Sequence, residues 1–532
     1  MTYRRKIASL SLASVIALAP LGLATPVQAQ DVLGSGIAPA GVQNSAEREI
    51  TFSATVPAGA ALAIVTTTGE LPAGAMLDDG LRDLVEAILA KAEFDGKAGS
   101  SVAIPAVEGR PSIMVFGAAG ADSSHDSSVD WRETGGRIAQ EIIDQTEQVA
   151  IVGLPDGAAM ADAALGATLG QYRFDRYKSD RTAPPAEAIA IVGADVSAAR
   201  AAWNGRSRPL AEGVRFARDL SNEPANVIYP ASFIERTRAA FAGVDGVTIE
   251  VLDQADMRRL NMGAIAGVGQ GSPRGSRLMM ITYKGAGGAP IALAGKGITF
   301  DTGGISIKPN TNMWRMKGDM SGAAAVTGAL LSLAKSEAPV HVVAAVALAE
   351  NMPGANAQRP GDVVRTMSGK TIEILSTDAE GRLVLSDAIE YTVQEKNPFA
   401  LVDIATLTGS VVRALGPEYA GVFARKDAHA DAALAAAEVS GEALWRLPLH
   451  PAYRKAVKSK IADVKNSGVT SAPGASSGAH FVEYFVPQDL PWVHIDMASV
   501  FRSETARPLA PAGASGFGVM LLDEMARSWR PE

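Results

Sequence analysis

Short apolar runs alternate with helical patterns along most of the chain. In the first part, five runs predict strands at 49–56, 61–65, 112–116, 149–152 and 188–192, and residues 79–94 predict an amphipathic helix. Four stronger runs follow at 291–294, 340–349, 400–405 and 492–495. Near-continuous apolar strands with helices between them are typical of parallel sheets covered on both faces. The sequence therefore predicts an α/β fold with a central, mainly parallel sheet in its larger, C-terminal part.

A long Ala- and Arg-rich helical pattern at 196–220 separates the two parts. We expect a flexible segment at 30–47, a smaller N-terminal α/β domain at 48–199, a linker helix at 200–221 and a larger C-terminal α/β domain at 222–532. Acidic and polar residues are scattered through the first domain, which indicates a scaffold or oligomerisation domain. No repeat of solenoid length is visible.

The first 29 residues have the pattern of a cleavable secretory signal. A basic stretch at 4–6 precedes an apolar run at 7–19 and a Val-Gln-Ala end at 27–29. The run is too short to span a membrane comfortably, and two prolines disfavour a buried helix. We therefore expect a signal peptide at 1–29, export to the periplasm or the outside, and no membrane attachment of the mature form. The chain would be cytoplasmic if the signal does not function, and the export route, Sec or twin-arginine, stays open.

Charge and composition exclude several classes of chemistry. Lys and Arg number 49 against 57 Asp and Glu, a net charge of −8 that becomes −11 once the three basic residues of the signal are removed. We therefore expect no nucleic-acid partner. The chain has no cysteine, which excludes disulfides, thiolate zinc sites and cysteine nucleophiles, and none of its 6 histidines forms an HExxH pattern. Any metal site must therefore rest on oxygen ligands.

Four segments place polar residues just past predicted strands or at helix starts, where α/β sheets collect functional residues. They are 294–304 with its continuation to Lys308, 316–320, 376–383 and 405–409.

Asp378, Glu380 and Arg382 are spaced by two, so an extended segment would point all three side chains the same way. Adding Asp301 and Asp319 brings four carboxylates together, which is strongly unfavourable unless cations neutralise them. A pair of divalent ions would do so. Asp378 or Glu380, taken alone, could equally cap the following helix.

Lys296 and Lys308 lie beside glycines or at a strand end, which favours positions near reacting atoms. A lysine amine binds a metal only when it is neutral, and a neighbouring dication depresses its pKa. A phosphate-binding loop is disfavoured because Pro290 and Gly297 stand where its first glycine and its Ser or Thr belong. A nucleophile elbow around residue 515 is excluded because Phe517 replaces the required glycine.

These motifs resemble the leucyl aminopeptidase family of two-metal hydrolases, peptidase family M17, which includes cytosol aminopeptidases. Residues 376–383, Ser-Thr-Asp-Ala-Glu-Gly-Arg-Leu, match seven of the eight positions of its Asn-Thr-Asp-Ala-Glu-Gly-Arg-Leu signature, with serine in place of the first asparagine. Similar agreement occurs at 295–309, 351–354, 359–362 and 515–518. The resemblance runs from about residue 218 to the C-terminus and makes 222–532 an M17-like catalytic domain.

The resemblance implies a metal-dependent aminopeptidase that releases N-terminal residues, preferably leucine and other apolar ones, by two-metal hydrolysis. Asp301 and Glu380 would bridge the ions, Lys296 and Asp319 would complete the tighter site, and Asp378 the more exchangeable one. The ions are expected to be Mn²⁺ or Zn²⁺, with Co²⁺ or Mg²⁺ possible, since ligand type cannot choose among them.

Two further roles follow from the resemblance. Lys308 would stabilise the developing oxyanion, and Arg382 would hold a bicarbonate that acts as general base. The residues matching the family's side-chain pocket are Met316, Thr406, Gly409, Ala498 and Phe501.

Peptide substrates and a homohexamer with its catalytic domains inside are the expected partners. Two alternatives stay open: a dipeptidase of narrow specificity, such as for Cys-Gly, and a secondary, non-catalytic DNA-binding role. The expected export and the negative net charge disfavour the second.

Overall fold

The computed structural model describes residues 43–106, 110–119, 129–180, 187–468 and 473–530. The predicted signal at 1–29 and most of the predicted flexible segment lie outside these residues. No helix of the described ranges is both long and apolar enough to cross a membrane.

A six-stranded sheet organises the first part of the chain. Its strands are β1 Ile50–Ser53, β2 Ala61–Thr66, β3 Ser101–Ile104, β4 Ile113–Gly117, β5 Val149–Val152 and β6 Ile189–Val192. They follow the order β1-β6-β5-β2-β4-β3, and all neighbours are parallel except β3 and β4. Its helices are α1 Asp79–Lys91, α2 Trp131–Glu141 and α3 Gly157–Gly170. Apolar clusters on both faces bury β2, β5 and β6 completely, as their uninterrupted apolar sequences require.

A helical segment leads from this sheet into the second part. It consists of α4 Val196–Ala202, a π-helical stretch Trp203–Ser207 and α5 Arg208–Asn222. Helix α5 packs closely on a helix of the second part, because a Cβ at Gly213 would lie 2.4 Å from the carbonyl oxygen of Gly328. Small residues at this crossing therefore fix how near the two helices lie.

Larger and longer elements form the second part. Its strands are β7 Val247–Leu252, β8 Arg277–Lys284, β9 Ile291–Asp301, β10 His341–Asn351, β11 Val363–Arg365, β12 Thr371–Glu373, β13 Ala400–Ala405, β14 Ala420–Ala424, β15 Leu444–Arg446, β16 Val464–Lys465, β17 Trp492–Asp496, β18 Arg502–Ser503 and β19 Gly513–Ala514. Its α-helices are α6 Pro230–Ala240, α7 Gln254–Arg259, α8 Gly263–Val268, α9 Ser321–Lys335, α10 Gly381–Lys396, α11 Gly409–Leu415, α12 Asp427–Ser440, α13 Gly474–Glu483 and α14 Val519–Ser528.

The main sheet of this part has eight strands in the order β15-β14-β17-β13-β9-β10-β8-β7. Its four central strands, β17-β13-β9-β10, are parallel. On one side β8 runs antiparallel to β10 and β7 runs antiparallel to β8, and on the other side β14 runs antiparallel to β17. Strands β11, β12 and β16 form a small separate sheet, and β18 pairs with β19. Two apolar clusters cover the two faces of the main sheet. The predicted α/β class with a mainly parallel central sheet is confirmed.

Strand β9 is longer than the predicted strand at 291–294. It continues through the glycines around Lys296 and ends at Asp301. These glycines let α9 approach, since a Cβ at Gly295 would lie 2.6 Å from the carbonyl oxygen of Gly322. Near the end of β9, the pairing with β10 shifts by one residue, so that Phe300 and Asp301 face Glu350 and Asn351. The two predicted site residues Lys296 and Asp301 therefore lie on a buried strand rather than in a loop after it.

The extended conformation expected for 378–382 is wrong. Asp378 lies in a turn, Glu380 has a right-handed helical backbone, and Arg382 belongs to the first turn of α10. Glu380 occupies the cap position of this helix, but its side chain makes no capping hydrogen bond. The simple capping role considered for Glu380 is therefore also wrong, and its carboxylate is free for other contacts.

Candidate active site

A cleft of about 560 Å³ lies where β9 and β13 end, beside a 3-10 helix at Met313–Gly318 and a loop that follows β17. Parallel strands present their carboxyl ends here, which is where α/β sheets collect functional residues. The predicted residues that line the cleft are Lys296, Asp301, Lys308, Met316, Asp319, Asp378, Glu380, Thr406, Gly409, Ala498 and Phe501.

Lys296 lies between two carboxylates at the buried end of the cleft. Its Nζ is 2.9 Å from Asp319 Oδ2 and 2.9 Å from Glu380 Oε1, and it donates a hydrogen bond of 2.9 Å to the carbonyl oxygen of Thr406. Burial opposes the charged form of Lys296, but the two carboxylates outweigh burial and raise its pKa. The lysine therefore serves as an internal counter-ion in this arrangement.

Lys308 bridges a second pair of carboxylates. Its Nζ is 2.8 Å from Asp301 Oδ2 and 2.5 Å from Asp378 Oδ1. Burial again opposes the charge, and Asp301 with its neighbouring carboxylates again outweighs burial and raises the pKa of Lys308. Lys308 is the more accessible of the two lysines, with 22% of its side chain exposed against 4% for Lys296.

The cluster contains four carboxylates and only two ammonium groups, and the pKa values of the carboxylates are shifted from their ordinary values. Burial, followed by repulsion from Glu380, raises the pKa of Asp301 to about 6, and burial raises the pKa of Asp319 to about 8. Burial also raises the pKa of Asp378. At Glu380 the two lysines outweigh burial and lower the pKa. Further cations beside the cluster would therefore favour the charged form of these buried carboxylates.

The carboxylates are placed to receive a metal ion. Asp301, Asp378 and Glu380 each offer an oxygen atom, and these atoms lie within 4.8 Å of one another. The second oxygen of Glu380, Oε2, is buried and has no hydrogen-bond partner among the described residues. Convergent carboxylate oxygens with one unused buried oxygen fit a divalent cation.

Neighbouring polar groups hold these carboxylates in place. Asn351, at the end of β10, donates from Nδ2 to Asp301 Oδ1 at 2.8 Å and to the carbonyl oxygen of Thr377 at 3.0 Å. Thr406 donates from its hydroxyl to Asp319 Oδ1 at 2.7 Å. Asn351 therefore joins the end of β10 to both Asp301 and the signature loop, which orients the cluster.

Arg382 is the one predicted site residue that is not on the wall of the cleft. It is buried at the start of α10, and one of its amino groups donates to the carbonyl oxygen of Asn466 at 2.6 Å. Its Nε is buried and unpartnered within the part of the chain that the structure describes, and burial lowers its pKa. The side chain therefore keeps an unused N–H donor, and the negative charge of Glu380 favours the charged form of its guanidinium.

The predicted side-chain pocket belongs to the same cleft. Met316 comes from the 3-10 helix, and Phe501 packs against Gly318, where an added Cβ would lie 2.6 Å from a ring carbon. Thr406, Gly409 and Ala498 also line the cleft, so the structure brings all five predicted pocket residues to one cavity.

Sequence reasoning missed several residues of this region. Arg315 and Arg502 line the cleft, each next in the chain to a predicted pocket residue, and Glu504 lies beside both. That adjacency was the signal that could have found the two arginines. Asn466 comes from a distant loop, where no motif pointed to it, and its side-chain oxygen accepts a hydrogen bond of 2.9 Å from the backbone N–H of Leu375, just before the signature.

Comparison with known proteins supports the same assignment over most of the chain. The model of the cytosol aminopeptidase family, catalytic domain, matches residues 215–523, and the model of the N-terminal domain of that family matches residues 62–181. The chain belongs to the cytosol aminopeptidase family. It is a peptidase hydrolase, as predicted.

Its relatives and structural neighbours cover nearly all of the fold. A probable cytosol aminopeptidase of Bradyrhizobium sp. is 44% identical over 84% of this chain and 90% of the relative, and one of Rickettsia bellii is 41% identical over 85% and 92%. A mutant of tomato leucine aminopeptidase matches with a TM-score of 0.80 and 30% identity, covering 92% of this chain and 98% of the other. The bottromycin maturation enzyme BotP in complex with Mn matches with a TM-score of 0.77 and 32% identity, covering 88% and 99%.

Proposed function

We propose that this aminopeptidase is metal-dependent and releases leucine and other apolar residues from the N-termini of peptides. The observation that carries the proposal is the convergence of oxygens from Asp301, Asp378 and Glu380 within 4.8 Å, with Glu380 Oε2 buried and unpartnered among the described residues. The similarity to BotP, which is known in complex with Mn, supports it.

The residues that would hold two divalent ions are Lys296, Asp301, Asp319, Asp378 and Glu380. Mn²⁺ and Zn²⁺ are the first candidates, followed by Co²⁺ and Mg²⁺. Bound ions of this kind activate a water and polarise a carbonyl group. Lys296 would act as a ligand only after losing its proton, which a neighbouring dication promotes.

Selectivity for the N-terminus would come from the free amine of the substrate. In its neutral form the amine could serve as a nitrogen ligand of a bound ion, whereas an internal peptide bond has no amine to offer. The adjoining wall with Met316, Ala498 and Phe501 is suited to an apolar side chain. Together these features favour removal of single apolar residues from the N-terminus.

Lys308 is the group best placed to act on the reacting peptide. Its ammonium lines the cleft, and its side chain is more exposed than that of Lys296. It would donate a charge-assisted hydrogen bond to the oxygen that becomes negative during hydrolysis. For Arg382 we propose the binding of bicarbonate as general base, supported by its unused buried Nε and the planar shape of its guanidinium.

Hydrolysis of a chromogenic leucine amide by the metal-loaded enzyme tests this function. Activity is expected with Mn²⁺ or Zn²⁺, because both suit the ligand set. A panel of peptides of two to six residues with different N-termini separates a general aminopeptidase from a narrow dipeptidase. Hydrolysis of dipeptides but of no longer peptide would favour the dipeptidase. Absence of any hydrolysis would refute the proposal.

We further propose, from the signal pattern at 1–29, that the enzyme is exported, and, from the family resemblance, that it is a homohexamer whose substrates are peptides. Light scattering should report a mass near six mature chains, and a stable, fully active monomer would contradict the assembly. N-terminal sequencing of the protein made in its own cells should begin near residue 30, and a chain that begins at Met1 would contradict signal cleavage.

A further inference from the structure

Two arginines line the same cleft as the carboxylate cluster. Arg315 belongs to the 3-10 helix Met313–Gly318, and Arg502 belongs to β18. We call these two residues the arginine pair. Arg315 directly precedes Met316 in the chain, and Arg502 directly follows Phe501. Met316 and Phe501 both belong to the proposed side-chain pocket. The arginine pair therefore lies in the cleft that would receive the peptide.

The arginine pair has more charge and more donors than its surroundings use. Its one carboxylate partner among the described residues is Glu504, whose Oε1 lies 3.3 Å from Arg315 Nη2 and 3.2 Å from Arg502 Nε. Two guanidiniums share one carboxylate, so the group keeps a net positive charge. The Nε of Arg315 is buried and has no hydrogen-bond partner in the described ranges. Each guanidinium offers five N–H donors, most of which are therefore available.

A stacking contact restricts where these guanidiniums can point. The central carbon of Arg502 lies 4.7 Å from the ring centroid of Trp314, and that of Arg315 lies 5.5 Å from it. Side-chain exposure is 16% for Arg502 and 32% for Arg315, so both are partly withdrawn from water. A preorganised, partly desolvated guanidinium binds a carboxylate better than a freely moving surface arginine does.

A third arginine on the cleft wall, unlike the arginine pair, has a carboxylate partner of its own. Arg507 contacts both carboxylate oxygens of Glu418, at 2.8 and 3.0 Å. Apart from Glu504, the acidic residues on the cleft wall are the four of the metal-binding cluster, within the part of the chain that the structure describes. The unbalanced positive charge on the cleft wall is therefore confined to the arginine pair among the described residues.

One cleft holds both the carboxylate cluster and the arginine pair. We place the N-terminal amine of the substrate at the carboxylate cluster and its first side chain against the apolar residues of the pocket. The portion of the peptide after the scissile bond is then the part left to meet the arginine pair.

We propose that the arginine pair selects substrates whose leaving portion carries a carboxylate close to the scissile bond. This inference rests on the proposed aminopeptidase function and adds the class of its substrates. The carboxylate can be the free C-terminus of a dipeptide or the side chain of an acidic residue in the second position. Glu504 competes for the same donors and moderates the preference.

Two matched substrate pairs test the proposal on the metal-loaded, full-length enzyme. Leu-Gly with a free C-terminus is compared with Leu-Gly-NH₂, and Leu-Asp-NH₂ is compared with Leu-Asn-NH₂. We expect kcat/KM to favour the acid by about tenfold in at least one pair, because charge-assisted hydrogen bonds from guanidiniums are lost with the amide. The pair that shows the preference identifies the source of the carboxylate. Equal kcat/KM values within both pairs would overturn the proposal.

Variants then assign the preference to these residues. Arg502→Gln and Arg315→Gln should reduce the acid-to-amide ratio toward one, and Arg502→Lys should retain part of it. Glu504→Gln should increase the ratio, a gain that damage to the fold would not produce. Arg259→Gln, which removes an exposed arginine paired with Asp256 on α7, is the control and should leave the ratio unchanged.

The outcomes separate this inference from the function on which it rests. If all four substrates resist hydrolysis, the proposed function fails. If the amides are hydrolysed and the ratio is one, or if the ratio persists in both arginine variants, only the role of the arginine pair is refuted.

Discussion

Gln140 donates hydrogen bonds from its side-chain amide to the backbone carbonyl oxygens of Arg507 at 2.5 Å and Pro508 at 3.1 Å. Gln140 lies on α2 in the first part of the chain, and Arg507 lines the cleft in the second. Helix α2 also comes so close that a Cβ at Gly136 would lie 2.2 Å from the carbonyl oxygen of Pro508. The N-terminal part, predicted as a scaffold, therefore also supports one wall of the cleft.

Replacing Gln140 should loosen that wall. Gln140→Leu removes the donor and leaves two carbonyl groups without it, at a cost of about 1 kcal/mol per hydrogen bond. We expect a lower melting temperature and a KM for short peptides raised about threefold, with kcat nearly unchanged, because the reacting groups lie on other elements. Steady-state kinetics and thermal unfolding measure both effects.

The control for this variant is Gln394→Leu on the exposed side of α10. Gly136→Ala offers a second test, because its added methyl group must push the loop at Pro508 away. Unchanged KM values in both Gln140→Leu and Gly136→Ala would show that the N-terminal part does not influence the cleft.

Removal of metal should abolish activity. Four carboxylates face two lysines, and the described residues of the cleft include no cysteine or nucleophile elbow that could replace the ions. Treatment with a chelator followed by dialysis is expected to lower hydrolysis of a leucine amide by more than a hundredfold, and Mn²⁺ or Zn²⁺ should restore it. Metal analysis of each sample verifies removal. Full activity in enzyme that is verified to be free of metal would show that hydrolysis does not depend on metal.

The carboxylates should differ in their importance for metal content. Asp301 and Glu380 are buried and central to the cluster, whereas Asp378 is partly exposed. We expect Asp301→Ala and Glu380→Ala to lose most of both ions per chain, and Asp378→Ala to lose mainly the more exchangeable one. Metal analysis after gel filtration measures this independently of activity. Retention of both ions by Glu380→Ala would refute its proposed bridging position.

A buried carboxyl group outside the carboxylate cluster should make stability depend on pH. Burial raises the pKa of Glu442 to about 7, and its Oε2 accepts hydrogen bonds from the backbone N–H groups of Gly518 and Leu521 at the start of α14. The folded state therefore binds this proton more tightly than the unfolded state does. Its contribution to stability is present below about pH 4.5 and is lost as the pH rises through about 7, by about 3 kcal/mol.

Glu442→Gln isolates this effect, because glutamine keeps an acceptor oxygen and cannot titrate. Between pH 5 and pH 8, the melting temperature of the wild type should fall relative to that of the variant. Groups common to both proteins, including the carboxylates of the site, cancel in the difference. Parallel pH profiles of the two proteins would show that Glu442 does not take up a proton in this range.

The sequence by itself determined the elements and the chemistry of the site. Buried strands were predicted correctly from uninterrupted apolar runs, because a strand covered on both faces favours apolar residues at every position, as in β5 and β6. The predicted ligand set was also visible, because its residues occur in dense motifs and because carboxylates gathered without cations would repel one another.

Only the tertiary structure decided how these groups meet. Periodicity placed Lys296 and Asp301 beyond a short strand, whereas packing of α9 against the glycines extends β9 through both. The carboxylates of Asp378 and Glu380 converge through a turn and a helix start, not through the alternation of an extended segment. Contacts between residues far apart in the chain, such as Gln140 with Arg507 and Arg315 with Glu504, leave no local pattern. They depend on how sheets and loops pack, which no short stretch of sequence encodes.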